Sequence, residues 1–121
     1  MLKERLDGRV KEYIEEKERE RKRNEKIKLD KISRDAERTW NYLSKVFEDF
    51  DDGCLAKGVI LKVRENGYCV GSNVELFALP FGLEYIDQTL DKVMNLAEED
   101  GIKTAKFSGE KSWIFEYNPG I

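Results

Sequence analysis

The residues best suited to chemistry in this sequence of 121 residues are cations, nine of which lie between positions 17 and 34. Lysine and arginine spaced along a helix can follow a phosphate backbone, which favours contact with nucleic acid. Four acidic residues are interleaved with them, which weakens binding to a naked duplex and favours a ribonucleoprotein surface of mixed charge. A solvated helix face is the alternative interpretation. The nine candidate contact residues are Lys17, Arg19, Arg21, Lys22, Arg23, Lys26, Lys28, Lys31 and Arg34.

Catalytic and metal-binding patterns are weak in this sequence. It contains no histidine, which removes the commonest general base and the commonest transition-metal ligand. Cys54 and Cys69 are too few to form a zinc site and are expected to be free thiols. The acidic run before Gly53 fails as a calcium loop begun at Asp49, because Ile60 stands where the bidentate glutamate is required. We therefore expect a protein that is not an enzyme and that holds no cofactor and no metal.

A long helix is expected to position the cations. Apolar residues recur at steps of three and four from position 29 to position 50, which is typical of an amphipathic helix packed on a core. Upstream, residues 15–26 contain no apolar side chain but are good helix formers apart from Asn24, so an exposed helix is expected there. Gly53 is expected to end the helix. The predicted stripe comprises Leu29, Ile32, Ala36, Trp40, Leu43, Phe47 and Phe50.

A second, shorter apolar stripe lies near the start of the sequence, again at helical spacing. It is too short to form a core, and an uncovered apolar patch is typical of an interaction site. It could dock on a partner or on a second copy of the chain, and we expect a homodimer. The candidate self-association residues are Leu2, Leu6, Val10 and Tyr13.

Strands and one more helix are predicted downstream. Asn66-Gly67 after the strand at Val59–Arg64 is a strong hairpin signal, and a two-residue loop would pair Val63 with Val70. Antiparallel hairpins with segregated helices define an α+β fold, with a long N-terminal helix, an antiparallel sheet of about five strands and a second helix. The element order is α-β-β-β-α-β-β. The remaining predicted elements are strands at 74–79, 102–107 and 112–117 and a helix at 82–99.

Four aromatic residues allow two interpretations. Tyr68, Trp113, Phe115 and Tyr117 could stack on nucleic-acid bases. Core packing is the favoured interpretation, because the sequence after the first helix has few other large apolar residues.

Charge is distributed unevenly along the chain. Residues 1–39 contain 14 Lys and Arg against 11 Asp and Glu, and the chain totals of 22 and 25 leave 8 and 14 for residues 40–121. This predicts a charged helical arm at residues 1–34 and an α+β body at residues 35–121. A slightly acidic chain with a basic arm is not the profile of a general nucleic-acid binder. The polar start lacks a signal-peptide core, and no apolar run approaches the roughly 18–20 residues that span a bilayer, so we expect a cytoplasmic protein without membrane contact.

Two short segments resemble a known family. Lys45-Val46-Phe47-Glu48, followed by Asp51 and Leu55, resembles the end of the first helix in broad-acting type II-A anti-CRISPR proteins encoded by phages. Leu90-Asp91-Lys92, with Phe107 closing the next strand, is similar to the second helix of that family, and the resemblance covers residues 35–110. It implies inhibition of a type II CRISPR effector nuclease in the host cytoplasm, through binding of the complex between nuclease and guide RNA. The family's arm is disordered and almost purely basic, whereas the glutamates of this arm favour an ordered helix.

Together these patterns predict a non-enzymatic binding protein that docks on a larger protein or ribonucleoprotein complex. The specific form of this hypothesis is an anti-CRISPR inhibitor whose partner is the effector nuclease with its guide RNA. The alternative is a nucleic-acid-binding or coiled-coil scaffold protein that dimerises through the long N-terminal helix. Affinity for naked nucleic acid distinguishes the two hypotheses.

Overall fold

The computed structural model describes residues 1–72 and 76–120, which separate into two compact units, Met1–Lys31 and Ile32–Ile121. The described elements confirm the α+β class, with a long first helix and a five-stranded antiparallel sheet. They add one short helix to the predicted order. In chain order the elements are α1 (Leu2–Glu48), α2 (Asp52–Lys57), β1 (Val59–Arg64), β2 (Tyr68–Gly71), β3 (Phe77–Ala78), α3 (Ile86–Glu99), β4 (Lys103–Phe107) and β5 (Ser112–Tyr117).

The sheet has the strand order β3-β2-β1-β5-β4, and every neighbouring pair is antiparallel. Alternate residues of the two central strands point to one face, as the period of a strand requires. On that face Leu61 of β1 lies opposite Phe115 of β5, and Val63 lies opposite Trp113. All four side chains are buried, so this face of the sheet forms one wall of the core.

The amphipathic part of α1 supplies a second wall of the core. Trp40 is only 7% exposed, and its ring packs against Phe47 and Phe115 with centroid distances of 6.4 and 6.1 Å. Its indole N–H donates a hydrogen bond to Asp100. The prediction that this stripe packs on the core is therefore confirmed. The buried apolar residues of α1 are Ile32, Ala36, Trp40, Leu43 and Phe47.

The start of the predicted stripe and the end of the predicted helix need correction. Leu29 is 54% exposed and belongs to the unit Met1–Lys31, so the buried stripe begins at Ile32. Helix α1 ends at Glu48, five residues before the predicted glycine stop. The carboxylate of Asp51 accepts a hydrogen bond from the Cys54 backbone N–H at 2.7 Å and caps α2. That hydrogen bond also lowers the pKa of Asp51. A new helix therefore occupies the predicted loop.

The hairpin between β1 and β2 differs from the predicted register by one residue. Val63 lies opposite Cys69, and Lys62 lies opposite Val70. The cause is the turn, since the Gly67 N–H donates to the Arg64 carbonyl at 2.9 Å and Gly67 adopts a positive φ of 80°. A left-handed glycine after a tight turn is typical of a three-residue loop. The observed register places Val63 and Cys69 together in the core, whereas the predicted one would have separated them.

One strand and one helix are shorter in the structure than predicted. Strand β3 covers only Phe77–Ala78, and residues 74 and 75 of the predicted strand lie outside the described residues. Helix α3 begins at Ile86 and not at residue 82, because Gly82 disfavours a helix and the backbone of Tyr85 is not helical, with φ −115° and ψ 71°. The core interpretation of the aromatic residues is confirmed for Trp113 and Phe115, which are fully buried.

Candidate docking surfaces

Eight of the nine candidate cations lie in the unit Met1–Lys31, and Arg34 lies in the unit Ile32–Ile121. They are exposed, except that Lys28 and Lys31 are half-buried. Two exposed ion pairs join residues three apart on the helix: Lys17 with Glu20 at 3.5 Å and Arg21 with Glu18 at 2.9 Å. Exposed pairs of this kind contribute little to stability. The cations from Lys17 to Lys26 are therefore available to a partner at small cost.

The ion pairs set the local electrostatics of this helix. The hydrogen bond and charge of Arg21 lower the pKa of Glu18, and Glu18 in turn raises the pKa of Arg21. The Lys17 ammonium lies 5.5 Å from the centre of the Tyr13 ring. Arg19, Arg23 and Lys26 make no ion pair or hydrogen bond with any residue that the structure describes. The stretch from Lys17 to Lys26 thus mixes neutralised and unpaired cations.

The four predicted self-association residues are all exposed within the first unit. Leu2, Leu6, Val10 and Tyr13 retain between 43% and 61% of their accessible surface. Their spacing of four, four and three places them on one side of α1. The other residues of the first unit do not cover this apolar stripe. A helix normally owes most of its stability in a protein to burial of such a stripe.

Sequence reasoning missed a basic depression in the second unit. It has a volume of about 540 Å³ and is open to solvent. Arg34, Arg38 and Lys45 lie on one side of α1 at steps of four and seven, a pattern that the sequence already contains. The aromatic wall is formed by Tyr42 and by Phe81, which lies in an irregular segment, so no periodic signal predicts it. The lining residues are Arg34, Glu37, Arg38, Asn41, Tyr42, Lys45 and Phe81.

An apolar groove meets the basic depression at Phe81, which lines both. Its volume is about 410 Å³, within the range of small-ligand sites. Residues of three segments form it: the β1–β2 turn, the chain after β3, and the first turns of α3. The apolar lining residues include Tyr68, Leu79, Pro80, Phe81, Leu83 and Ile86.

The two cysteine side chains lie in environments that keep their thiols protonated. Burial raises the pKa of the Cys69 thiol to about 12, and partial burial next to Asp51 also raises the pKa of Cys54. Both thiols are free and mainly protonated at neutral pH, which makes them poor nucleophiles. Within residues 1–72 and 76–120 there is no cluster of three or more histidine, cysteine or acidic residues suited to a metal ion.

The carboxylate of Asp91 on α3 accepts two side-chain hydrogen bonds within the second unit. It accepts hydrogen bonds from the Trp113 indole and the Lys106 ammonium, both at 2.9 Å. Burial alone would raise the pKa of Asp91, but these two hydrogen bonds and the charge of Lys106 together outweigh it and lower the pKa. Asp91 therefore stays ionised at neutral pH and fixes Trp113 in the core.

None of the helices in the described part of the chain is sufficiently long and apolar to cross a membrane. Comparison with protein-family models, with curated proteins and with solved structures finds no match to this chain.

Proposed function

We propose that this chain is a non-enzymatic binding protein that acts in the cytoplasm by docking on a larger protein or ribonucleoprotein complex. The observation that carries the proposal is the unit Met1–Lys31, a helix on which the cations from Lys17 to Lys26 and the apolar stripe are both exposed. A helix without a covered face gains little from its own fold, so a partner must supply the missing contacts. The candidate contact residues are the nine cations from Lys17 to Arg34.

Charge favours a protein or ribonucleoprotein partner over naked nucleic acid. Four acidic residues are interleaved with the nine cations, and two of them already form ion pairs. Residues 32–121 carry ten Lys and Arg against sixteen Asp and Glu, so a polyanion would be repelled by the second unit. A partner surface of mixed charge avoids repulsion by the interleaved acidic residues and by the acidic second unit. It also gains specificity from charge complementarity.

The resemblance to type II-A anti-CRISPR proteins names one specific candidate complex. It is a type II effector nuclease assembled with its guide RNA, encountered in the host cytoplasm. Under this proposal the chain inhibits cleavage of target DNA when present in molar excess over the assembled nuclease. Full cleavage of target DNA in the presence of excess chain would exclude this nuclease as the partner. Other partner complexes would still be tested by the capture experiment below.

Capture from a lysate of the native host cells tests the docking proposal. The tagged full-length chain is expected to retain a defined set of proteins at fixed stoichiometry. These proteins should stay bound to the resin after nuclease treatment of the lysate. A variant with Arg19, Arg21, Lys22 and Arg23 changed to Gln should retain less of that set. Changing Lys57 and Lys103 to Gln provides the matched control, because both lysines lie outside the first unit. Retention of nucleic acid alone would contradict docking on a protein.

A scaffold protein that dimerises through α1 is the second candidate function. It is favoured by one observation, the exposed stripe of Leu2, Leu6, Val10 and Tyr13 at helical spacing. Such a dimer would bring two sets of cations together and could bind nucleic acid directly. Binding to naked nucleic acid therefore separates this function from docking on a complex.

A further inference from the structure

We propose that the basic depression and the apolar groove form one composite docking site, and that its occupant is a protein segment carrying a carboxylate beside large apolar side chains. This inference rests on the proposed function, because it names the chemistry of the partner. The whole site belongs to the unit Ile32–Ile121. The site is separate from the nine candidate cations except for Arg34.

Arg38 is held in place before any partner arrives. Its guanidinium carbon lies 4.0 Å from the centre of the Phe81 ring, and one terminal nitrogen lies 3.3 Å from a carboxylate oxygen of Asp35. An exposed arginine normally loses much rotamer freedom when it binds, and stacking reduces that loss. The remaining N–H groups of the planar guanidinium can donate to a carboxylate.

Two further cations widen the basic depression along α1. Arg34 lies one turn before Arg38, and Lys45 lies about two turns after it, so the three span roughly 16 Å at 1.5 Å per residue. Asn41 lies between them and can donate or accept hydrogen bonds. A peptide laid along this face could therefore place one carboxylate on Arg38 and a second acidic residue within reach of Lys45.

The apolar groove supplies the second half of the site. Leu79, Leu83 and Ile86 line it, and Phe81 closes the side nearest Arg38. Burying one leucine or phenylalanine side chain there would contribute about 1.5–3 kcal/mol. Because Phe81 lines both parts, the carboxylate and the apolar side chain must lie close together in the bound segment.

Nucleic acid fits this site less well than an acidic peptide. Glu37 lines the basic depression beside the three cations and would repel neighbouring phosphates. The second unit also carries an excess of acidic residues, which a polyanion would meet beyond the site. A peptide with isolated carboxylates satisfies the cations without a continuous line of negative charge.

A display library of random short peptides, selected on the immobilised full-length chain, tests the inference. We expect enrichment of sequences with Asp or Glu close to a leucine, isoleucine or aromatic residue. Enriched peptides should bind the Arg38→Gln variant about tenfold more weakly or worse, since a hydrogen bond to a charged group is lost. Lys103→Gln is the matched control, because it removes a cation outside the site. Circular dichroism checks that each variant is folded.

Three results would overturn the inference: no enrichment above the Arg38→Gln variant, enrichment without acidic residues, or equal binding of a peptide and its Asp-to-Asn analogue. Tighter binding of single-stranded RNA than of any enriched peptide, with the same loss in Arg38→Gln, would assign the site to nucleic acid. Failure here is distinguishable from failure of the proposed function. Capture depends on cations of the first unit and on a native complex, whereas the peptide experiment uses neither.

Discussion

Replacing Trp40 with alanine is expected to lower the free energy of unfolding by about 3–5 kcal/mol, as for other large buried aromatic residues. The ring is 7% exposed and packs between Phe47 and Phe115. Its loss leaves a cavity between α1 and the sheet and removes the hydrogen-bond donor to Asp100. Since small domains are stable by only about 5–15 kcal/mol, the variant loses a large share of its stability.

Urea unfolding followed by circular dichroism measures this change. Leu29→Ala is the matched control, because Leu29 is an exposed apolar residue of the same helix outside the self-association stripe and should change stability by less than about 0.5 kcal/mol. Trp40→Phe separates packing from hydrogen bonding, since it keeps an aromatic ring and removes the N–H donor. An undiminished melting temperature for Trp40→Ala would mean that the stripe of α1 does not form the core.

The second large effect concerns self-association through the first unit. We expect light scattering at high micromolar concentration to give about twice the 14.2 kDa mass of one chain. Leu2, Leu6, Val10 and Tyr13 offer an exposed apolar stripe, and each of these side chains buried between two copies would contribute about 1.5–3 kcal/mol. Changing Leu6 and Val10 to Asp should return the mass to that of a monomer, because two charges would then be buried without partners.

The matched control for the dimer is Leu29→Asp. Leu29 lies on the same helix with similar exposure but outside the stripe, so this variant should keep the dimer mass. A mass of about 14 kDa for the unmodified chain at high micromolar concentration would rule out the dimer. The stripe would then be free for the larger partner.

The parts of the fold that follow from periodic burial could be predicted from the sequence. Ile32, Ala36 and Trp40 recur at helical spacing, and Trp113 and Phe115 alternate as a strand requires, so their burial follows from pattern alone. Local hydrogen bonds decided the features that were missed. The Asp51 side chain starts α2, and the left-handed Gly67 lengthens the hairpin loop and shifts the register.

The composite site shows why binding surfaces are harder to predict than cores. Arg38 and Lys45 are exposed cations of α1, and their types and spacing do not distinguish them from other surface cations. Their significance comes from Phe81, which is distant in sequence and lies in an irregular segment before α3. Such a neighbour is brought into place only by tertiary packing.

Binding to naked nucleic acid is the measurement that tests the central claim most directly. Gel shifts with duplex DNA and single-stranded RNA at about 150 mM salt should show weak binding, because acidic residues interrupt the cations of the first unit. The variant with Arg19, Arg21, Lys22 and Arg23 changed to Gln should bind naked nucleic acid no differently at this salt concentration, yet associate more slowly with the captured complex. Submicromolar binding to naked duplex would contradict the claim, above all if the salt slope became shallower in the variant by roughly 0.7–0.9 per lost contact.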